Sequence, residues 1–234
     1  MRPIAGRRDA GVVTEAARAV VADERDRLAR GGDARSLDEL AAAVVGRLDG
    51  ALASAGPIAV INATGVILHT NNGGGQWEIQ QAPSANHLWA VHFLDARNGW
   101  AVGEEGKILQ TQDGGVRWVE QQSHTNQPLL GVDFADAQNG WAVGVNGLIL
   151  HTADGGANWK PQVSQTPKTL RGVAFLNAQR GWAIGEDGLI LHTTDGGQTW
   201  TIQPSGAKEN LLDIYLHKNR GWIVGAKGTI LRLG

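Results

Sequence analysis

The period of the hydrophobic pattern changes once along the chain. From Val12 to Arg30 the apolar residues Val13, Ala16, Ala17, Val20 and Val21 recur at helical spacing, and a charged run from Asp23 to Arg27 follows. Gly31-Gly32 stops that segment. Ser36-Leu37-Asp38-Glu39 is a capping box, in which Ser36 and Glu39 each satisfy an orphan backbone N–H. Leu37, Leu40, Ala43, Val44, Leu48 and Leu52 then form one apolar stripe ending near Gly56-Pro57. The spacing predicts a small α-helical hairpin within residues 1–64. Two such helices bury too little apolar surface to be firmly stable alone, so the hairpin needs a partner surface.

Beyond residue 64 the pattern alternates with period two. Leu130-Gly131-Val132-Asp133-Phe134 and Trp141-Ala142-Val143 read as strands, and Gly144 to Gly147 as a tight turn into Leu148 to Thr152. Asp154-Gly155-Gly156 turns into a last strand around Trp159. This unit repeats. Gly-Trp pairs at Trp100, Trp141, Trp182 and Trp222 are spaced 41, 41 and 40 residues apart, and Asp113, Asp154 and Asp195 open Asp-Gly-Gly turns 41 apart. A second series, Trp77, Trp118, Trp159 and Trp200, keeps the same step. Units fall near 65–86, 87–128, 129–168, 169–210 and 211–234. Periods of about 40–45 residues rich in short strands point to propeller blades. The expected fold is mainly β: a partial, about four-blade propeller of four-stranded repeats, preceded by the helical hairpin. The strict period of the tryptophans makes them packing anchors between sheets rather than a stacking surface for sugars or bases. Trp89 alone is off series; it aligns with Leu130, Arg171 and Leu212, and is expected half exposed.

Composition sharpens the division. Residues 1–64 hold nine Arg, sixteen Ala and neither Lys nor Trp, whereas all nine Trp and all six Lys lie beyond. With no cysteine, disulfides and Cys-ligated metal centres are excluded. A net charge of −2 gives no global drive toward nucleic acid or anionic membrane. No run of about 18 apolar residues predicts a membrane span, and the N-terminus lacks the apolar core of a signal peptide, so a cytoplasmic location is the default expectation.

Thr193-Thr194-Asp195-Gly196-Gly197-Gln198-Thr199-Trp200 resembles the Asp box of BNR-type propellers. The wider unit is similar to the blades of photosystem II stability and assembly factor-type propellers over residues 65–234. That resemblance implies a non-enzymatic scaffold holding a partner protein, often exported, in a ring of about seven blades. Val60 to Asn71, reading VINATGVILHTN, resembles a stretch of bacterial selenocysteine synthase, L-seryl-tRNA(Sec) selenium transferase, and the preceding helical segment resembles that enzyme's N-terminal region. This second resemblance covers residues 1–71 and implies tRNA as a partner there. The pattern is not continued after Asn71, and nothing downstream resembles the enzyme's pyridoxal phosphate domain, so transferase chemistry and its cofactor are not expected. The two families share the hexapeptide Gly65 to Thr70, and the join is read as a fusion or a sequence-assembly artefact formed there.

No catalytic, metal-binding or cofactor-binding residues are assigned. Sialidase-like chemistry needs a tyrosine nucleophile beside an acid and arginines on the substrate carboxylate. The single tyrosine, Tyr215, aligns with His92, Asp133 and Ala174 and reads as a strand side chain. His69, His151 and His192 share one repeat position, but one per blade should place them apart as half-exposed strand residues, not as converging metal ligands. Asp113, Asp154 and Asp195 offer one carboxylate per turn, too few for a calcium cage. The variable position is the turn between the second and third strands. Glu104-Glu105, Asn146, Glu186-Asp187 and Lys227 change its chemistry from blade to blade, so they form a candidate partner-binding face, weighed against plain solvated turns. The last unit ends after its third strand. Its fourth is expected either from Trp77 to Gln81, closing a ring, or not at all, leaving an open arc whose edges favour self-association.

Overall fold

A computed structural model describes residues 58–61, 66–70, 75–83, 86–217 and 220–233. Residues 1–57, which hold nearly all of the hairpin read from the sequence, lie outside the described residues. Among the described residues, eighteen strands form five antiparallel sheets. The first contains β1 (Ile58–Ile61), β2 (Val66–Thr70) and β3 (Glu78–Gln81). The second contains β4 (Leu88–Phe93), β5 (Gly99–Gly103), β6 (Ile108–Thr111) and β7 (Val119–Gln121). The third contains β8 (Leu129–Phe134), β9 (Gly140–Gly144), β10 (Ile149–Thr152) and β11 (Lys160–Gln162). The fourth contains β12 (Leu170–Phe175), β13 (Gly181–Gly185), β14 (Ile190–Thr193) and β15 (Thr201–Ile202). The fifth contains β16 (Leu211–His217), β17 (Arg220–Gly225) and β18 (Ile230–Leu233). Each is a meander in chain order. The first strands β4, β8, β12 and β16 pack successively on one another as the inner layer.

The first sheet begins upstream of residue 65. Ile58 to Ile61 lie 41 residues before Gly99 to Val102 and pair with β2 in the same register, Ile58 opposite Thr70 as Gly99 is opposite Thr111. Val60 and Ile61, and then Val66 to Thr70, therefore contribute to the second and third strands of a blade.

Sheets are joined face to face by rings. Trp100 stacks on Phe134 of the next sheet at 3.6 Å, and Trp141 on Phe175 at 3.4 Å. Trp159 and Trp200 meet those phenylalanines edge-on at 5.9 Å. Each buried ring removes about 150–250 Å² from water, roughly 4–6 kcal/mol of gross hydrophobic gain before entropy is counted. Their indole N–H groups are satisfied across the same joints. Trp100 and Trp141 donate to the carbonyls of Gly155 and Gly196, and Trp118, Trp159 and Trp200 donate to Gln80, Gln121 and Gln162 of the preceding sheet.

The ends differ. β3 pairs with β2, so Trp77 to Gln81 does not complete the last sheet, and no strand of the first sheet pairs with the fifth. Of the two expected arrangements, the described residues follow the open one: three four-stranded sheets flanked by two three-stranded ones. Trp222 is 38% exposed, whereas Trp100, Trp141 and Trp182 are 1%, 0% and 6% exposed, because no described sheet packs on its face. Trp77 is half-buried for the corresponding reason at the other end. No helix among the described residues is long and apolar enough to cross a membrane.

Candidate functional site

The Asp boxes are closed hydrogen-bonded turns. In each, a threonine hydroxyl (Thr111, Thr152, Thr193) donates to the Asp carboxylate at 2.8 Å and accepts the N–H of Gly115, Gly156 or Gly197 at 2.8 Å. The same carboxylate accepts the backbone N–H of Arg117, Asn158 or Thr199. At Asp154 the Asn158 side-chain amide, then its backbone N–H and the Thr152 hydroxyl, hold the carboxyl down to about 2. Backbone N–H donation, from Arg117 and Thr199 respectively, likewise lowers Asp113 and Asp195. All three carboxylates are spent within their own turns.

The turns between second and third strands are 3₁₀ turns: Glu104–Gly106, Val145–Gly147, Glu186–Gly188 and Ala226–Gly228. Their middle residues, Glu105, Asn146, Asp187 and Lys227, all adopt left-handed φ of 51–55°. Each of the first three turns abuts the linker to the next sheet, with the glycines at 106, 147 and 188 set against the carbonyls of Thr125, Thr166 and Ala207. Their charges are partly committed to neighbours. Glu104 faces His87 at 3.1 Å, Asp187 faces Lys168 at 3.2 Å, and Glu105 accepts from Asn86. Glu186 accepts the Thr169 N–H and stands 3.7 Å from Arg171, while Lys227 lies 3.9 Å from Glu209.

Beside these turns runs a feature the repeat alignment held without revealing its geometry. In every inner strand the pairing with the second strand skips one residue, between Leu88 and Ala90, Leu129 and Gly131, Leu170 and Gly172, and Leu211 and Asp213. The bulged residues are Trp89, Leu130, Arg171 and Leu212. A bulge re-aims its side chain away from the alternating pleat. Trp89 and Leu212 are accordingly 44% and 42% exposed, with Leu130 and Arg171 half-buried. Adjacent inner strands bring the four together: a Cβ on Gly131, next to Leu130, would lie 3.1 Å from the backbone of both Arg171 and Gly172. Arg171 reaches Glu186, and Trp89 packs edge-on to His87, which pairs with Glu104. The row and the turns therefore share one rim.

The remaining polar positions support the frame. His151 and His192 stack on Trp141 and Trp182 at 4.7 Å, one per sheet, with Nε2 buried and unpartnered. Both side chains are half-buried, as the strand position predicts, each against an indole of its own sheet. Burial lowers the pKa of both, with Arg180 adding to it at His192. His69 is 8% exposed and also lowered by burial, opposed by Glu78. His92 Nδ1 stands 3.1 Å from Asp133 on the next inner strand, and Asp133 accepts the Phe175 N–H of the strand after that. These positions were aligned in the sequence, but their contact depends on blade stacking. Gln80, Gln121, Gln162 and Gln203 recur at 41-residue steps, a periodic signal that could have identified them as indole acceptors. Tyr215 stacks on Trp222 at 6.4 Å, and burial pushes its pKa up, the reverse of what a nucleophilic phenolate needs. No cluster of metal-ligating side chains occurs among the described residues.

A family model described as photosynthesis system II assembly factor YCF48 matches residues 69–160 and again 118–208, together more than half of the chain. The chain belongs to that family. Among solved structures it is similar to "YCF48 bound to D1 peptide", at 23% identity and TM-score 0.51, covering 68% of this chain and 66% of that one. It is also similar to the GH74 enzyme of Niastella koreensis, at 16% identity and TM-score 0.59, and to an ancestral GH74 enzyme, at 13% and 0.58. Each of those matches covers 76% of this chain, but 34% and 29% respectively of the enzyme. The chain thus spans just under two thirds of the YCF48 structure and about a third of the GH74 enzymes. At these identities the likeness concerns the propeller-like fold alone. No curated protein matches the chain.

Proposed function

We propose that this YCF48-family chain is a non-catalytic scaffold that holds a protein partner on the rim formed by the bulge row and the second-to-third-strand turns. One observation carries the reading. Four consecutive inner strands each expel one residue at the same position, and the expelled residues, Trp89, Leu130, Arg171 and Leu212, vary while the frame around them repeats. A constant scaffold with changing exposed chemistry is what a recognition surface requires. Glu104, Glu105, Asn146, Glu186, Asp187 and Lys227 border it and tune its charge. The similar YCF48 structure is bound to a D1 peptide, which supports a protein ligand for this fold. The immobilised chain should retain a protein partner that a Trp89→Ala/Leu212→Ala double variant, folded by circular dichroism, releases. Undiminished retention by the variant overturns the reading.

A second reading concerns residues 1–71. Under it, the stretch resembling selenocysteine synthase is a remnant joined to the propeller at Gly65 to Thr70, inactive alone, with tRNA recognition as its inherited role. The sequence resemblance of Val60 to Asn71 supports it. Selective tRNA retardation in a gel is the expected signal; absence of retardation with the partner still captured removes this reading and leaves the scaffold.

A further inference from the structure

We infer that the chain associates head to tail with a second copy of itself, the outward face of the fifth sheet packing on the free face of the first. The inference goes beyond the scaffold reading and uses neither the bulge row nor the turns. Its basis is the joint that the arc repeats internally. In such a joint one sheet presents a forward half, as Trp141, Val143 and Ile149 do, and the next sheet a back half, as Leu191 and Trp200 do. All five are buried, at 2% exposure or less.

The same two halves stand open at the two ends of the arc. The forward positions of the fifth sheet hold Trp222, Val224 and Ile230, at 38%, 44% and 72% exposure. Trp222 is paired with Tyr215 and Val224 with Ile230, so these side chains share one face. The back positions of the first sheet hold Leu68 and Trp77, both half-buried, with the exposed Ile79 directly opposite Leu68. Leu109, Leu150 and Leu191, the counterparts of Leu68, are 0–2% exposed. Because both halves are exposed in one chain, they do not meet within it. A second copy carries the half that each end lacks, with apolar residues where the interior joints place theirs. Packing two fifth sheets on each other would leave Leu68 and Trp77 in water.

The contact is small. These few side chains cover less than the roughly 800 Å² per partner of a standard interface. Trp77 also lacks its acceptor, since Gln80, Gln121 and Gln162 sit on fourth strands and the fifth sheet has none among the described residues. Association is therefore weak, with a dissociation constant on the order of 100 μM, and the chain is a monomer at about 1 μM. A head-to-tail contact joins unlike surfaces, so it continues from copy to copy until a ring closes or a filament grows.

Sedimentation equilibrium of the full chain from about 1 μM to about 1 mM should show the mass rising from monomer past dimer. Val224→Glu/Ile230→Glu blocks the forward half and Leu68→Glu the back half, and each variant alone should stay monomeric. Mixed, the two should form a one-to-one dimer and nothing larger, because a single intact joint remains. Melting temperature is the folding control. Should Leu68→Glu fold poorly, single cysteines replace the test, since the native chain has none. Ile230→Cys and Ile79→Cys should then cross-link to each other through a short bis-maleimide, and neither to itself. A monomer at every concentration overturns the inference. So does a dimer that the forward variant abolishes and the back variant leaves untouched, or an Ile230→Cys chain that cross-links to itself, the mark of two fifth sheets packed together.

Discussion

Trp141 and Trp222 occupy the same position in the repeat, follow the same glycine, and sit on strands of the same register, yet one is 0% and the other 38% exposed. The third sheet stacks Trp141 on Phe175 of the fourth and gives its N–H the Gly196 carbonyl. Trp222 has Tyr215 of its own sheet at 6.4 Å. Val224 and Ile230 follow the same rule, 44% and 72% exposed where Val143 and Ile149 are fully buried. A blade's core is thus built by its neighbour. Even Gln203 shows it: its counterparts accept from the tryptophan of the next sheet, whereas Gln203 accepts from Trp182, at the base of its own sheet's Gly-Trp strand.

Truncating both rings tests this contrast most severely. Trp141→Ala should cost about 3–5 kcal/mol in urea unfolding, the range for a buried aromatic that leaves a cavity. Trp222→Ala should cost about 1–2 kcal/mol, because much of its surface is already wet. Equal losses would mean that the two rings are equivalently packed in solution. The next contrast uses glycines with the same left-handed φ. A Cβ on Gly147 (φ 69°) would overlap the Thr166 carbonyl oxygen, whereas one on Gly228 (φ 75°) meets nothing within 4 Å. Gly147→Ala combines steric and conformational cost, about 3 kcal/mol, and Gly228→Ala only the conformational part, about 1–2 kcal/mol. Thermal denaturation of the pair separates crowding from backbone strain.

The repeat was legible because every blade solves the same packing problem with the same residues. Period, strand order, Asp-box turns and indole anchors all follow from the 41-residue step. What was not legible depended on relations between blades. The turn residues Glu104, Glu105, Glu186 and Asp187 were visible as variable, but their partners His87, Asn86, Arg171 and Lys168 come from inner-strand starts 15–19 residues away. Trp89 stands off series and aligns with Arg171. That the four aligned residues are bulged depends on a skipped pairing, and a pairing register leaves no mark in composition. The strand Ile58 to Ile61 was hidden because it replaces the Gly-Trp pair with Ile-Ala, so the repeat signal fades while the register persists.

Acid should distinguish the interior from the last sheet by direction. Burial lowers the pKa of His151 and His192, so the folded form binds fewer protons than the unfolded chain. Their contribution is therefore complete above the unfolded value of about 6.5 and declines as pH falls below it toward the folded values. The last sheet carries Arg232 at this position and adds no such slope, and the second carries Gln110. His151→Gln should make the fall in melting temperature between pH 7 and 5 shallower; an unchanged profile would place the slope elsewhere. The Asp boxes act in a lower window. With Asp154 held near 2 against an ordinary 3.8, their contribution is present above about pH 4 and disappears as pH falls toward 2.

The smallest effect tests whether the repeat tolerates strain that glycine would relieve. His124, Gln165 and Gly206 occupy one position in the three linkers between complete sheets and their successors, with φ of 57°, 60° and 72°. The first two are exposed side chains in a left-handed conformation that costs an L-residue about 1–2 kcal/mol. Glycine removes that cost but gives the unfolded chain about 0.5–1 kcal/mol of extra freedom. Gln165→Gly should therefore gain about 0.5 kcal/mol, and Gln165→Asn a similar amount, because asparagine tolerates this region while losing less entropy. The reverse change, Gly206→Gln, has open space around the new Cβ and should lose about the same. Opposite signs in chemical denaturation would show that backbone conformation alone distinguishes these linkers. If Gly206→Gln were neutral, the linker before the last sheet would have freedom to leave the left-handed region, and the looseness of that sheet would extend to the linker that carries it.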